Sequence, residues 1–336
     1  MSVLSTQITL EDLPAPPPDK IGWPWTEASQ LLPPNMPDGQ PWPLISIITP
    51  SYNQSRFLEK TIRSVLLQSY PNLEYIVIDG GSSDRSVDII KKYESYLTYW
   101  VSEKDKGQAH AINKGFDRAT GKIFAWLNSD DIYLPEALSL VAERFNQEDN
   151  HTGALVGIGH KVDETGKIVY TPPRGPELNF QSFLNWHKSH FMQPSCFFTR
   201  EAWELCGLLD ESLNYCMDVD LWLKISQKFF FKKLDTVLSH ATVHQEAKTT
   251  AQKEQTIVEN ALLIMDYGAR DIAYQDLMGL ADALVDANQK IQSITFSPVY
   301  KIIGPIYRIV RYVNQFFGDL IKKYSCKIFN RIDRNV

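Results

Sequence analysis

Asn128-Ser129-Asp130-Asp131 stand where an apolar run stops, and their oxygen chemistry is the first sign of a site. The run before them, Lys122-Ile123-Phe124-Ala125-Trp126-Leu127, is short and follows the turn residue Gly121, so it reads as a buried strand. Two adjacent carboxylates at the C-terminal end of a strand repel one another, and nothing nearby in sequence pairs with them. In an open α/β sheet that end is where ligands bind. Hard oxygen ligands there suit Mg²⁺ or Mn²⁺ carrying a substrate diphosphate. The competing reading is a polar turn before a helix, with Asp131 as N-cap ahead of Leu134-Pro135-Glu136.

The elements that must position these residues follow from periodicity. Ile45-Ser46-Ile47-Ile48 reads as a buried strand ending in Thr49-Pro50-Ser51-Tyr52-Asn53, followed by a helical stretch through Leu58, Ile62, Val65 and Leu66. Leu73 to Ile78 is a second strand, ending at Asp79-Gly80-Gly81-Ser82-Ser83. Ser83 or Asp84 can cap the next helix, which runs through Val87, Ile90 and Tyr93. Residues 97–101 make a third strand, 109–116 a helix and 123–127 a fourth strand. This alternation predicts an α/β fold with a mostly parallel, doubly wound sheet and helices on both faces. Three strand ends then converge on one crevice: Thr49 and Tyr52, Asp79, and Asn128 with Asp130. Tyr52 can stack on a nucleotide base. Asp79 can accept a base N–H, or it can simply open a Gly-Gly turn.

Several chemistries are excluded by motif. The loop after the first strand holds no glycine, so a Gly-x-Gly-x-x-Gly dinucleotide site is absent. There is no Gly-x-x-x-x-Gly-Lys-Ser/Thr phosphate loop and no Gly-x-Ser-x-Gly nucleophile elbow. Cys196, Cys206, Cys216 and Cys326 form no Cys-x-x-Cys pair, which argues against zinc and for reduced, buried thiols.

Four segments together resemble glycosyltransferase family 2: Ile-Ile-Thr-Pro-Ser-Tyr-Asn-Gln at 47–54, Val-Ile-Asp-Gly-Gly-Ser-Ser-Asp at 77–84, Trp-Leu-Asn-Ser-Asp-Asp at 126–131 and Met-Asp-Val-Asp-Leu-Trp-Leu-Lys at 217–224. The resemblance covers about residues 44 to 250 and is carried by the order and spacing of all four. It implies a GT-A fold acting on nucleotide-activated sugars, with uridine as the expected base. The family's Asp-x-Asp motif falls on Asn128-Ser129-Asp130, which leaves Asp130 as the expected metal ligand, with Asp131 adjacent. Asp79 matches the base-binding aspartate, and Lys106, Gly107 and Asn113 match the segment flanking the nucleotide. The Glu-Asp motif that holds the acceptor-activating acid reads Met217-Asp218, so Asp218 is the expected general base. His244 and Lys248 match a segment near metal and diphosphate. Direct inverting transfer needs one base for the attacking hydroxyl and neutralisation of the leaving diphosphate, the latter supplied by Mg²⁺ or Mn²⁺. Each residue also has a structural alternative: Asp218 or Asp220 as a helix cap, Tyr52 as a surface aromatic, and His244 as a satisfied structural histidine, as His110, His187 and His190 are read. Gln193-Pro194 is expected to shape the acceptor side.

The 336 residues carry a net charge of −6 that is unevenly spread. Residues 290–336 hold nine Lys/Arg and two Asp/Glu, +7, so the remainder carries −13. An acidic body offers no footprint for nucleic acid. Expected domains are a proline-rich arm over 1–43, packed along a catalytic domain over 44–250, a helical extension over 251–289 and a basic amphipathic tail over 290–336. In the tail, apolar Ile302, Ile306, Val310, Val313, Phe317 and Leu320 oppose Lys301, Arg308, Arg311 and Lys322. Such a helix either packs on the body or lies on an anionic membrane surface. No signal peptide and no charge-free transmembrane stretch is visible, which sets the expectation of a cytoplasmic enzyme, peripheral at the inner face of the membrane. Its partners are a nucleotide-sugar donor and a saccharide or glycolipid acceptor. The alternatives are a non-catalytic sugar-nucleotide binder, suggested by Asn128 and Met217, and a membrane scaffold.

Overall fold

The computed structural model describes residues 7–173, 175, 177–186, 190–244 and 252–295. Its first half follows the periodicity. β1 (Ile45–Ser51), β2 (Leu73–Asp79), β3 (Tyr99–Ser102) and β4 (Ile123–Trp126) pair in parallel in the order β3-β2-β1-β4. Parallel strands need crossovers, here α1 (Leu58–Leu66), α2 (Ser86–Lys92) and α3 (Gln108–Phe116). The pleat sends alternate residues to opposite faces. Ile123 and Ala125 of β4 join the core that holds Ile62, Val65 and Ile90. Phe124 and Trp126 point the other way, into the rings of Phe116, Phe198 and Trp222. Gly115 lets α3 approach closely, since a Cβ there would lie 2.4 Å from Cγ2 of Ile48.

The second half extends the same sheet with mixed polarity. β5 (Asp131–Tyr133), β6 (Thr152–Val162), β7 (Ile168–Tyr170), β8 (Cys196–Thr199) and β9 (Phe230–Thr242) complete the order β3-β2-β1-β4-β8-β6-β9-β5, with β7 paired to β6. The β4–β8, β8–β6 and β9–β5 pairs are antiparallel, and β6–β9 is parallel. Residues 153–159, though rich in glycine, are the heart of a long strand. The glycines admit side chains from neighbouring elements: a Cβ on Gly153, Gly157 or Gly159 would lie 2.4 Å from Phe229, Leu238 or Met192. Asp131 opens β5 and does not cap a helix; α4 (Ala137–Asn146) begins six residues later. Further helices are α5 (Phe180–Leu184), α6 (Arg200–Cys206), α7 (Met217–Ser226), α8 (Lys253–Asp266) and α9 (Arg270–Thr295).

Residues 7–43 form an irregular arm whose Ile8, Leu13, Trp25, Met36 and Trp42 are buried. Trp23 Nε1 donates to the Tyr133 carbonyl at 2.8 Å. Arg63 of α1 is fully buried and donates to the carbonyls of Pro14, Pro24 and Trp25 at 2.9–3.0 Å and to the Tyr93 hydroxyl at 3.1 Å. A buried guanidinium is tolerable only when its donors are so occupied. Cys196, Cys206 and Cys216 are buried free thiols.

One compact unit extends to Tyr274 and a second begins at Gln275. Among the described residues, no helix is long and apolar enough to cross a membrane. His187, Lys248, Cys326 and the amphipathic tail lie outside the described residues.

Candidate active site

The site is assembled at the C-terminal ends of β1, β2 and β4. The loops after β1 and β2 are stitched together. Asn53 takes a left-handed φ of 53°, which points its backbone N–H at Ser82 Oγ (2.8 Å) and its Oδ1 at the Ser83 N–H (2.8 Å). Ser55 N–H reaches Asp84 Oδ2 at 2.9 Å, and Gln54 N–H reaches Ser86 Oγ at 3.0 Å. Tyr52 stands on this framework with 61% of its surface exposed.

Asp79 lies fully buried beneath the same loops. It accepts from the N–H groups of Gly81 and Ser82 (3.1 and 2.9 Å) and from the hydroxyls of Ser82 and Ser102 (2.5 and 2.6 Å). Three of these bonds fall on Oδ2 and one on Oδ1, which keeps an acceptor position of its own. Asp79 thus anchors its own Gly-Gly turn.

Two further expected contact residues point elsewhere. Thr49 is fully buried, on the β1 face shared with Ile45 and Ile47, and its hydroxyl meets Tyr75 Oη at 3.1 Å. The pleat turns it into the core, so its side chain makes no cleft contact. Asn113 is buried and uses both ends of its amide on one peptide. Its Nδ2 donates to the Leu209 carbonyl and its Oδ1 accepts from the Leu209 N–H, each at 2.9 Å. It clamps the segment after α6 against α3, which commits its amide to the Leu209 peptide. Lys106 remains exposed before α3, 3.7 Å from Glu211.

The strand-end carboxylates occupy distinct environments. Asn128 accepts from Gln108 Nε2 at 2.7 Å and donates to Asp131 Oδ2 and Gln193 Oε1 at 3.3 and 3.4 Å. Gln193 is itself fixed by its Nε2 bond to the Trp126 carbonyl, 2.9 Å, which sets it beside Asn128 at the end of β4. Ser129 is buried, and its carbonyl accepts from the Thr61 hydroxyl at 2.9 Å. Asp131 is buried too. Burial, and then the charge of Asp130, push its carboxyl well above the ordinary carboxylate range. Asp130 is more open, and its Oδ2 lies 3.0 Å from His244 Nε2. Phe57 packs on the His244 ring at 4.5 Å between centroids. Among the described residues no group of three or more His, Cys, Asp or Glu converges. Asp130 and His244 nevertheless fit a cation of the Mg²⁺ or Mn²⁺ type, which takes one or two protein ligands and the rest from phosphate and water.

Asp218 lies in the first turn of α7, with its Oδ1 accepting from the Val219 N–H at 2.9 Å. Trp222, one turn later, stacks on Trp126 at 5.6 Å with 11° between planes, which joins the start of α7 to the end of β4. Asp218 is half-buried, and burial pushes its carboxyl up to about 6, with a smaller push from Glu259. The carboxyl thus keeps some solvent contact while strongly desolvated, and a pKa near working pH suits a proton acceptor. Asp220 is instead spent on Lys224 (2.6 Å) and the Tyr267 hydroxyl (2.7 Å). Gln108 and Glu259 were not foreseen from sequence; both act through partners at least 20 residues away, and no local pattern marks them.

Residues 46–206 match the family model described as glycosyl transferase family 2. An uncharacterised glycosyltransferase of Rickettsia prowazekii is 30% identical over 224 residues, spanning 64% of this chain and 67% of that protein. The chain belongs to glycosyltransferase family 2. Solved structures agree on the fold of this glycosyltransferase. TarS of S. aureus superposes with a TM-score of 0.52 at 19% identity, over 76% of this chain and 44% of that one. The mannosyltransferase PcManGT of Pyrobaculum calidifontis gives 0.51 at 18% identity, over 82% and 86%. TarS has been solved with UDP and with UDP-GlcNAc, and PcManGT with GDP-Man and Mn²⁺.

Proposed function

We propose that this enzyme moves a sugar from a nucleotide-sugar donor, UDP-linked in our reading, to a hydroxyl of a saccharide or lipid-linked acceptor, with inversion at the anomeric carbon. The observation that carries this is the contrast between two acids. Asp130 sits partly exposed at 3.0 Å from His244, whereas Asp218, across the Trp126–Trp222 stack, is desolvated to a pKa of about 6. One can serve the diphosphate and the other can take a proton. Asp218 is then the general base for the attacking hydroxyl. Asp130 and His244 would hold Mg²⁺ or Mn²⁺, which when bound neutralises the charge that develops on the leaving nucleoside diphosphate. The complex of PcManGT with GDP-Man and Mn²⁺ supports the choice of ion. Tyr52 stacks on the base, Asn128 and the Ser129 backbone line the ribose and phosphate path, and Lys106 lies at its edge. Asp79 fixes the height of the base-binding loop. The basic tail over 290–336 would hold the enzyme at an anionic membrane surface, where a lipid-linked acceptor is presented.

Calorimetric titration with UDP, GDP and dTDP, with Mn²⁺ and then with EDTA, tests the donor half. The expected result is metal-dependent binding of UDP that is lost in Asp130→Ala. No binding of any nucleotide under either condition would overturn the assignment.

A further inference from the structure

Helix α7, which carries Asp218, begins without a side-chain cap of its own. A helix N-terminus leaves its first N–H groups without helical partners, and they must find acceptors elsewhere. The turn that leads into α7 finds its acceptor on another helix, while the Val219 N–H inside the first turn goes to Asp218 Oδ1. Glu259 of α8 accepts through Oε1 from the Asn214 N–H at 2.9 Å. Its Oε2 accepts from the Tyr215 and Cys216 N–H groups at 2.6 and 3.0 Å and lies 3.3 Å from the Cys216 thiol. One carboxylate thus closes three consecutive N–H groups, those of the N-cap Cys216 and of the two residues before it. The Tyr215 hydroxyl adds a 2.6 Å bond to Gln252 at the start of α8. Met217 stands where the Glu-Asp pattern would place an acid next to Asp218.

We propose that Glu259 is a positioning residue for Asp218: from α8 it clamps the turn that aims Asp218 into the cleft and supplies the second acidic group that residue 217 lacks. The inference rests on Asp218 acting as the base.

The charges around Asp218 agree. Glu259 is the neighbouring carboxylate that raises its proton affinity further once burial has done so. Asp220, two residues on, is paired with Lys224. The thiols of Cys196 and Cys216, facing it from β8 and from the turn, are pushed up by burial and stay neutral. Tyr267, also pushed up by burial, donates to Asp220. Removal of the Glu259 charge therefore lowers the pKa of Asp218, while loss of its reach loosens the turn.

The test compares wild type, Glu259→Gln, Glu259→Asp and Asp218→Asn across the pH range. UDP release is followed with the donor that nucleotide titration selects, and UDP affinity is measured in parallel. For Glu259→Gln the expected result is a kcat lower by about tenfold or more, with donor KM and UDP affinity within about twofold. Its acid limb moves to lower pH. Glu259→Asp keeps the charge but is one methylene short, so the limb stays while kcat falls. A wild-type kcat and limb in Glu259→Gln overturns the proposal, as does loss of UDP affinity in step with kcat, the mark of a structural prop. Should Glu259→Gln fail to fold, an unchanged kcat in Glu259→Asp overturns it. Full activity of Asp218→Asn removes the base itself, whereas an inactive Asp218→Asn beside a normal Glu259→Gln removes only the clamp.

Discussion

Asp218→Asn should make this protein more stable while it abolishes transfer. Burial lifts the Asp218 carboxyl from the usual 3.8 to about 6. Holding the charged form there costs the folded state about 3 kcal/mol relative to the unfolded chain. The side chain keeps some contact with solvent, so about half of that, ~1.5 kcal/mol, is the working figure. The sign is that of a raised acid. Below pH 4 both states carry the proton and nothing is lost; the cost grows between pH 4 and 6 and is constant above. Asparagine has no charge to desolvate, and its Oδ1 can keep the 2.9 Å bond from the Val219 N–H. Removing a negative charge from a helix N-terminus returns about 0.5 kcal/mol. The variant is therefore expected to be more stable than wild type by about 1 kcal/mol at pH 8, with most of that gain gone by pH 4.5. Transfer falls by roughly 10²–10⁴-fold. Urea unfolding at the two pH values, beside a turnover assay, measures both effects. A stability difference that does not change with pH, or a variant less stable at pH 8, refutes the desolvated base.

Three further outcomes follow from the geometry. Asn113→Ala leaves the buried Leu209 peptide without partners and should cost about 2–4 kcal/mol, read as a lower Tm, with UDP affinity unchanged in the folded protein. Tyr52→Ala removes the exposed ring proposed to stack on the base and should raise donor KM about 5- to 100-fold at constant kcat, since base stacking is worth ~1–3 kcal/mol. Gly159→Ala places a Cβ 2.4 Å from that of Met192 and 2.8 Å from Ser195 Oγ. It should destabilise by about 1–3 kcal/mol in urea and, by shifting the neighbouring Gln193, lower kcat as well.

The parallel half was legible because its signals are local. Apolar runs close at turn residues, and the strand ends carry the chemistry, so Tyr52, Asn128 and Asp130 emerge together. Thr49 and Asn113 show what a motif match leaves out, namely the direction of a side chain. Both directions were in the periodicity. Thr49 continues the alternation of Ile45 and Ile47, and Asn113 shares the i, i+3, i+4, i+7 stripe of Ala109, Ile112 and Phe116, so both belong to buried faces. β6 was hidden because its glycines serve packing, and glycine ordinarily signals a turn. Glu259 was hidden for a different reason: its partners lie 43 to 45 residues earlier, and only the fold brings them within reach.

The anchoring of Arg63 bears on what can be moved between proteins. The stretch shared with the family begins at Ser46, yet the guanidinium inside it is answered by carbonyls of Pro14, Pro24 and Trp25, all upstream of that boundary. A graft of the shared stretch alone into another scaffold would carry a buried cation and leave its acceptors behind. The portable unit is therefore wider than the inherited one. Likeness of sequence outlines the chemistry, while the ownership of hydrogen bonds decides how much chain has to travel with it.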